Sequence, residues 1–597
     1  TQDEKAEILI DCISQNPGYY PAVAQYVRAW SAINAAHDQK NPLDEYLQSK
    51  DFFSLQMEKG LFVSSASTLS AEQVLEEAMA ANSDDIRFQL EEFRYQYRER
   101  LDQESEFGLE RGKKKRTPLP FFSMVIWSLA ATAVSVMLPL IFGLVSPQQM
   151  QDLYTGWALH QSGQIYTDYY GSNGLLYYVL IYLSQGSILF ALVEWLALFG
   201  AGVFLFKSAD TLTGQGEQAR QLLLVFYLLV GSLGFGGSYA VVVALPFLFY
   251  SFSLVADYLD DPSNDKGFLR VGMSLALAFF LSPIPTALFA ATLALSLFGF
   301  NIAKRKFAHG LYQFFASALG FSLLFYPIGY YTVLTGTFGD AISHTLYPID
   351  TLSLFSNANL MENAAFYGLL SIGIGILTLI FSGLFQTKSA QQSAVSIGAI
   401  LGLLVTLSLL ILSKEPLHGS RLAAILPFLT LLLFTNIKEG SSDRIGRSRR
   451  RVRSSSLFGR YLKGNFYLPL IAIVYLLFLP VLSRYISHPS TYQEREQLAS
   501  LVKQQTSSED RVYAWDDRPD FYRASERLAP TSLSTPTLYT ASDENKTKLM
   551  NDLKENQPKM ILVNQKVALW SDVESLLSEK YELVQTDSKE FKLYKSK

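Results

Sequence analysis

Apolar runs of membrane-spanning length recur between Leu119 and Arg484, and polar segments separate them. A helix needs roughly 20 apolar residues to cross the hydrocarbon. On that measure the pattern predicts about 11 spans: 119–145, 187–206, 221–234, 240–258, 268–281, 286–302, 311–334, 365–385, 393–412, 421–436 and 466–482. The segments 231–237 and 282–285 carry Gly or Pro where a hairpin or broken helix would need them. Before Leu119 the periodicity changes to amphipathic runs, among them 21–36 and 83–111, which predict short helices. After residue 488, β-like runs at 511–515, 560–564 and 591–594 alternate with helical stretches at 492–505, 543–556 and 571–580. That alternation is the pattern of a small α/β domain. The expected architecture is an α-helical polytopic membrane protein with three parts: a helical region at 1–117, a transmembrane domain at 118–487 and an α/β domain at 488–597.

Charge orients these parts. Lys113, Lys114, Lys115 and Arg116 precede the first span, and Lys304, Arg305 and Lys306 follow the sixth. The connection 438–463 holds nine Lys and Arg, and Lys388 falls on the same side. Connections 146–174 and 335–364 hold none. Cations mark the cytoplasmic side, so the N-terminus is expected in the cytoplasm and the C-terminal domain outside. This sidedness accounts for the basic clusters without nucleic acid, although 438–463 also suits anionic lipid headgroups. Residues 1–117 read either as a cytosolic appendage or as a docking module for a cytosolic partner.

Composition agrees. Hydrophobic residues make up 49% and charged residues only 17%, against roughly 25% charged in soluble domains. The single cysteine, Cys12, excludes an internal disulfide and a cysteine-cluster metal site. No basic start leads into an apolar core at the N-terminus, so no cleavable signal peptide is expected. Low cysteine and basic inner loops fit a bacterial plasma membrane.

Candidate chemistry gathers on the outer side. The stretch 146–178 contains Asp152, Asp168, His160 and many tyrosines but no Lys or Arg, which suits metal, sugar or proton chemistry. The loop 336–363 holds Asp340, His344, Tyr347, Asp350 and Glu362, and its length suggests function. The segment SKEPLHGSR brings Lys414, His418 and Arg421 to a face otherwise poor in cations. They would either hold an anion such as phosphate or snorkel from the span ends. Glu194 lies inside the second span, where an ionisable group suggests function or a buried pairing with a Tyr, Lys or Arg.

One order of motifs is shared with a known family. An apolar span leads into a loop with an Asp, then Gly163-x-x-Tyr166-x-Asp168, then the Gly174–Tyr178 segment GLLYY. Later come LHGSRLAAILPFLTLLL and the tail RVYAWDDRPDFYRASERLAPT. Over about 119–597 this resembles the GT-C superfamily of membrane glycosyltransferases, of the protein O-mannosyltransferase and aminoarabinose-transferase type. Residues 1–117 lie outside the resemblance.

The resemblance implies an enzyme that takes a sugar from a polyprenyl-phosphate donor and passes it to an acceptor outside the membrane, a surface glycan or protein. The family's first-loop acid lands on Asp152 as catalytic base. Many mannosyltransferases have Asp-Glu there, whereas this chain has Gln151-Asp152. Asp168 would supply a second carboxylate, and the two would bind a divalent metal (Mg or Mn) if one is used. Lys414, His418 and Arg421 would hold the donor phosphate. Tyr166, Tyr169, His344 and Asp350 would contact acceptor or sugar. Two other functions use the same plan, a lipid-linked sugar transporter guided by Glu194 and a surface-glycan polymerase or ligase.

Overall fold

The apolar runs fold as helices that stop where the sequence turns polar or offers Gly and Pro. The computed structural model describes Ile8 and residues 117–597, apart from 263–264, 356, 386–388, 436 and 438–456. The expectations for 1–117, the 113–116 cluster, Lys388 and most of 438–463 therefore lie outside the described residues.

The chain begins with α1 (Phe121–Phe142), then α2 (Pro147–Ala158) and α3 (Leu175–Leu183). Next come α4 (Phe190–Thr213), α5 (Gly216–Leu233), α6 (Tyr239–Asp260), α7 (Phe268–Phe279), α8 (Pro283–Ala303) and α9 (Phe307–Leu334). There follow α10 (Phe338–Asp350), α11 (Leu360–Ile374), α12 (Ile376–Phe385) and α13 (Ala390–Leu412). The bundle ends with α14 (Gly419–Thr435), α15 (Leu457–Gly464) and α16 (Leu468–Ser487).

Ten of the eleven expected spans each fall on one helix, and 365–385 falls on the pair α11 and α12. Among the described residues seven helices, α1, α4, α6, α8, α9, α13 and α16, are long and apolar enough to cross a membrane, or up to eight if the pair α11 and α12 is one span bent by 60°. Gly375 makes that bend at φ 86°, a backbone region open to glycine. The helices α7 and α14 are shorter.

Where α7 crosses α9 the backbones nearly touch. A Cβ at Gly272 would stand 1.8 Å from the Ser317 carbonyl oxygen, and one at Gly320 would stand 2.0 Å from that of Leu269. Small residues let helices approach in lipid, where packing rather than hydrophobic expulsion drives association. Of the seven, α6 is the most enclosed, while α9 and α16 keep most of their apolar side chains on the surface. That exposure is what lipid-facing helices require.

Residues 489–597 add α17 (Pro489–Gln505), β1 (Val512–Trp515), α18 (Asp520–Ser525), α19 (Asp543–Glu555), β2 (Met560–Asn564), α20 (Ser571–Lys580), β3 (Tyr581–Val584) and β4 (Phe591–Ser596). The sheet order is β1-β2-β4-β3, with β1 parallel to β2 and the other pairs antiparallel. In register, Val512 faces Met560 and Phe591 faces Asn564. Both β1 (VYAW) and β2 (MILVN) are buried throughout, as apolar strands covered on both faces must be. In β4, Phe591 and Leu593 point inward and Lys592 outward, the period of two of a half-covered strand. The three strand-like runs and three helical runs expected here are present, and β3 is an addition.

The two sheet faces grip the membrane domain differently. Val512, Ala514, Met560 and Leu562 join a core containing Tyr154, Ala158 and Tyr169. Tyr513, Trp515, Ile561 and Val563 join another containing Tyr170, Tyr347 and Tyr539. The adjacent residues Tyr169 and Tyr170 thus anchor the first connection to opposite sides of the sheet.

Two segments expected as loops are partly helical. Ser146 caps α2, its Oγ accepting from Gln149 N–H, with Pro147 in the first turn. In α10, His344 and Tyr347 lie three residues apart and are both buried. The polar residues that suggested a loop in α2, among them Gln149, Gln151, Asp152 and Thr155, are buried inside the protein.

Candidate functional site

Asp152 sits in the middle of α2 and is only 3% exposed. Ser146 and Pro147 start the helix, and its next turn faces the bundle. Three donors converge on the carboxylate. Asn173 Nδ2 and Tyr177 OH donate to Oδ2 at 3.1 and 3.3 Å, and Tyr178 OH donates to Oδ1 at 3.0 Å. Tyr177 and Tyr178 project from the start of α3, which is held by Gly174. A Cβ there would lie 2.2 Å from the Phe280 carbonyl, so only glycine lets α3 begin this close to the end of α7.

Burial pushes the Asp152 carboxyl from 3.8 up to about 7, and the three donors pull it part of the way back. A carboxyl poised near neutral pH suits a general base. Its partners are fixed in turn, since Gln149 Nε2 donates to Tyr177 OH at 2.7 Å and Tyr239 N–H donates to Gln149 Oε1 at 3.0 Å.

A contact path leads from Asp152 to a second carboxylate. Ser172, beside Asn173, has its Oγ 3.4 Å from Tyr539 OH. Tyr539 N–H donates to Glu415 Oε2 at 3.5 Å, and Tyr347 OH donates to Glu415 Oε1. Glu415 is 4% exposed. Burial raises its pKa, while the neighbouring Arg421 charge opposes that rise. Arg421 Nη2 donates to Ser413 Oγ at 3.2 Å. The segment is strapped from the 351–363 region, where Asn357 and Asn363 donate to the Ser413 carbonyl at 3.0 and 2.9 Å.

The expected site residues separate by location. Lys414 and Arg421 flank Glu415 and are half-buried. His418 caps α14 and contacts Ser420 Oγ through Nδ1 at 2.9 Å. Burial and the charges of Arg518 and Arg421 lower its pKa to about 4, so it is neutral at pH 7. Tyr166 is buried, holds φ 74°, donates to the Asn173 carbonyl at 2.9 Å and stands edge-on to Tyr178. Tyr169 is buried against Tyr154, with its hydroxyl on the Ser162 carbonyl at 2.8 Å. His344 stacks on Tyr170 with ring centroids 3.7 Å apart, and burial lowers its pKa to about 3. Asp350 and Asp168 are exposed. Asp168 Oδ2 accepts from Gln164 N–H at 2.7 Å, which closes its own turn. Glu194 is fully buried and accepts from Ser135 Oγ at 2.5 Å. The expected Tyr, Lys or Arg partner is thus replaced by a serine from α1.

The donor set does not resemble a metal site. Both Asp152 oxygens are occupied by neutral donors, and Asp168 is not among its hydrogen-bond partners. Among the described residues no group of three or more His, Cys, Asp or Glu could hold a metal ion. The residues to which sequence reasoning gave no role in the site are Asn173, Tyr177, Tyr178, Glu415 and Tyr539. Glu415 carried a signal, as a carboxylate within the same SKEPLHGSR segment. Tyr539 carried none, since only the fold brings it 124 positions back to Glu415.

The chain is similar to known proteins in sequence and in fold. Residues 110–489 match the family model of the competence-induced protein Ccs4 N-terminal domain, and residues 492–597 match that of the Ccs4 C-terminal domain. The crystal structure of ArnT from Cupriavidus metallidurans bound to undecaprenyl phosphate superimposes with a TM-score of 0.50 at 11% identity, covering 79% of this chain and 97% of that one. The apo state of the same ArnT gives 0.49 at 12% identity, covering 75% and 93%. The chain shares the fold of this ArnT. An uncharacterized protein of Treponema pallidum (strain Nichols) is 38% identical over 98 residues, 16% of this chain, and the match spans only 15% of that relative's length.

Proposed function

We propose that this chain, which belongs to the competence-induced protein Ccs4 family, transfers a sugar from a polyprenyl-phosphate donor to an acceptor hydroxyl, with Asp152 as the base. One observation carries the reading: a buried carboxylate that accepts from Asn173, Tyr177 and Tyr178 and is joined through Tyr539 and Glu415 to Arg421. The GT-C fold supplies the frame. The acceptor is a surface glycan or protein, and the α/β domain lies on the outer side of the membrane, as the cation-free connections 146–174 and 335–364 suggest.

In this mechanism the acceptor oxygen attacks the anomeric carbon while its proton passes to Asp152. The bond from that carbon to the phosphate oxygen breaks, and the carrier leaves as a lipid phosphate that takes up the electron pair. Lys414 and Arg421 meet the leaving charge, which is larger in the transition state than in the bound donor. His418 is neutral and contributes a hydrogen bond rather than charge. Tyr166 and the Tyr170–His344 stack are buried and act as packing that shapes the site.

The test is purified full-length protein supplied with polyprenyl-phosphate sugar and scored for released carrier phosphate. Turnover supports the reading, whereas movement of intact donor across a bilayer without cleavage would make the protein a transporter. Arg421→Gln is expected to lower kcat/KM by about tenfold to a hundredfold, the loss of one charge-assisted contact of roughly 1.5–3 kcal/mol. An unchanged kcat/KM would remove Arg421 from the donor site. No step above uses a metal, so transfer is expected to persist in excess EDTA. Loss in EDTA with recovery in Mg or Mn would bring Asp168 in as a metal ligand.

A further inference from the structure

A second site lies at the seam between the bundle and the α/β domain. It is a cavity of about 490 Å³ bounded by the end of α1, the turn before α4, the last turn of α16, and α17 and α18. Its polar wall carries Arg484, Arg495 and Arg523 beside the carboxylates Glu496 and Asp520, and its apolar wall carries Leu140, Ile141 and Ile188. None of the donors around Asp152 lines it.

The charges on the polar wall are unevenly spent. Arg495 Nε is 2.5 Å from Asp516 Oδ2, Arg518 Nε is 2.8 Å from Asp520 Oδ2, and Arg484 Nη2 is 3.2 Å from the exposed Glu496. Arg523 has no carboxylate within ion-pair distance among the described residues. Its Nη1 donates to the Gly186 carbonyl at 2.7 Å; the residue is half-buried, and Asp520 acts on it electrostatically from beyond ion-pair distance. Arg495, which is 3% exposed, also has a buried Nη1 with no hydrogen-bond partner among the described residues. A buried donor without a hydrogen-bond partner, and a cation whose neighbouring carboxylate Asp520 is already bound to Arg518, favour an anion, because each is costly to leave unmatched.

The apolar wall narrows the class of anion. Ile141 and Ile188 are 60% and 44% exposed and continue into exposed Phe142 and Leu189. Arg484 lies in the final turn of α16. The cations therefore stand where span ends meet the interface, with apolar surface running away from them.

We propose that this cavity binds the phosphate of a membrane lipid, with Arg523 and Arg484 on the phosphate and the acyl or prenyl chain along Ile141 and Ile188. Two lipids share that chemistry, an anionic phospholipid and a polyprenyl phosphate. The proposal does not depend on sugar transfer, so either can fail alone.

Native mass spectrometry of the full-length protein in detergent tests it, with phosphatidylglycerol, phosphatidylcholine, polyprenyl phosphate and inorganic phosphate as probes. Phosphatidylglycerol or polyprenyl phosphate should be retained in preference to phosphatidylcholine, and the stronger of the two identifies the source. Arg523→Gln should cut that retention about tenfold, as expected for one lost charge-assisted contact, and Arg484→Gln should also lower it. Arg523→Lys should keep most of it, and Arg270→Gln at an exposed site should change nothing. Equal retention of phosphatidylcholine overturns the proposal. So does retention indifferent to Arg523→Gln and Arg484→Gln, or binding of inorganic phosphate with neither lipid.

Discussion

Asp152→Asn lowers sugar transfer by about 10²–10⁴-fold, the usual weight of a positioned general base, while the protein becomes more stable above pH 7. The two effects share a cause. Burial holds the folded-state pKa of Asp152 at about 7, above its ordinary 3.8. The folded state therefore binds this proton more tightly than the unfolded chain does. The group's contribution to stability is full below about pH 3.8 and is lost as pH rises through about 7. At about 1.4 kcal/mol per tenfold, the gap corresponds to roughly 4 kcal/mol. Asparagine fills the same space without a charge and escapes that loss. Thermal unfolding at about pH 8 checks stability, and carrier release checks turnover. A variant that is both inactive and less stable at that pH would point to damage rather than loss of a base.

Arg495→Met destabilises the α/β domain by roughly 3–5 kcal/mol, the cost of stranding a buried partner charge. Arg495 binds Asp516 through Nε and Nη2 at 2.5 and 3.1 Å, and the two side chains are 3% and 0% exposed. Asn564 Nδ2 also donates to Asp516 Oδ1 at 2.7 Å, so the network ties α17 to both β1 and β2. Arg495 Nη2 also donates to the exposed Asp517 at 3.2 Å, so one cation serves two adjacent carboxylates. With methionine at 495, Asp516 keeps its burial and loses its cation. The domain is expected to unfold before the bundle, seen as an early change in Trp515 fluorescence while helical circular dichroism persists. Transfer falls with it, because Ala529 N–H donates to Tyr154 OH at 2.9 Å and Ser534 Oγ donates to Gln151. Those bonds hold α2, and with it Asp152. A single unfolding transition at the wild-type temperature would contradict this.

Much of the fold was legible because lipid and buried strands impose strong periodicities. The spans follow from apolar length, and β1 and β2 follow from short β-branched and aromatic runs. What escaped was local. In α10, His344 and Tyr347 are separated by outward-facing residues, so the helix read as loop. The site was half legible: Asp152, Lys414, His418 and Arg421 stand out by type and sidedness. Asn173, Tyr177 and Tyr178 were hidden among many similar residues, and Tyr539 acts only through long-range packing. Asp168 was prominent in the sequence, yet its carboxylate closes a local turn. A short loop motif does not reveal whether a side chain turns toward a site or back on its own backbone.

The most direct measurement follows carrier-phosphate release from a polyprenyl-phosphate sugar by the full-length protein in lipid nanodiscs, across about pH 5.5–8.5, for wild type and Asp152→Asn. Wild-type kcat/KM should rise with pH through a midpoint near the pKa of about 7 expected for Asp152, and the variant should be nearly inactive at every pH. Equal release by the two proteins, or a wild-type profile flat across that range, would contradict the assignment of Asp152 as the base.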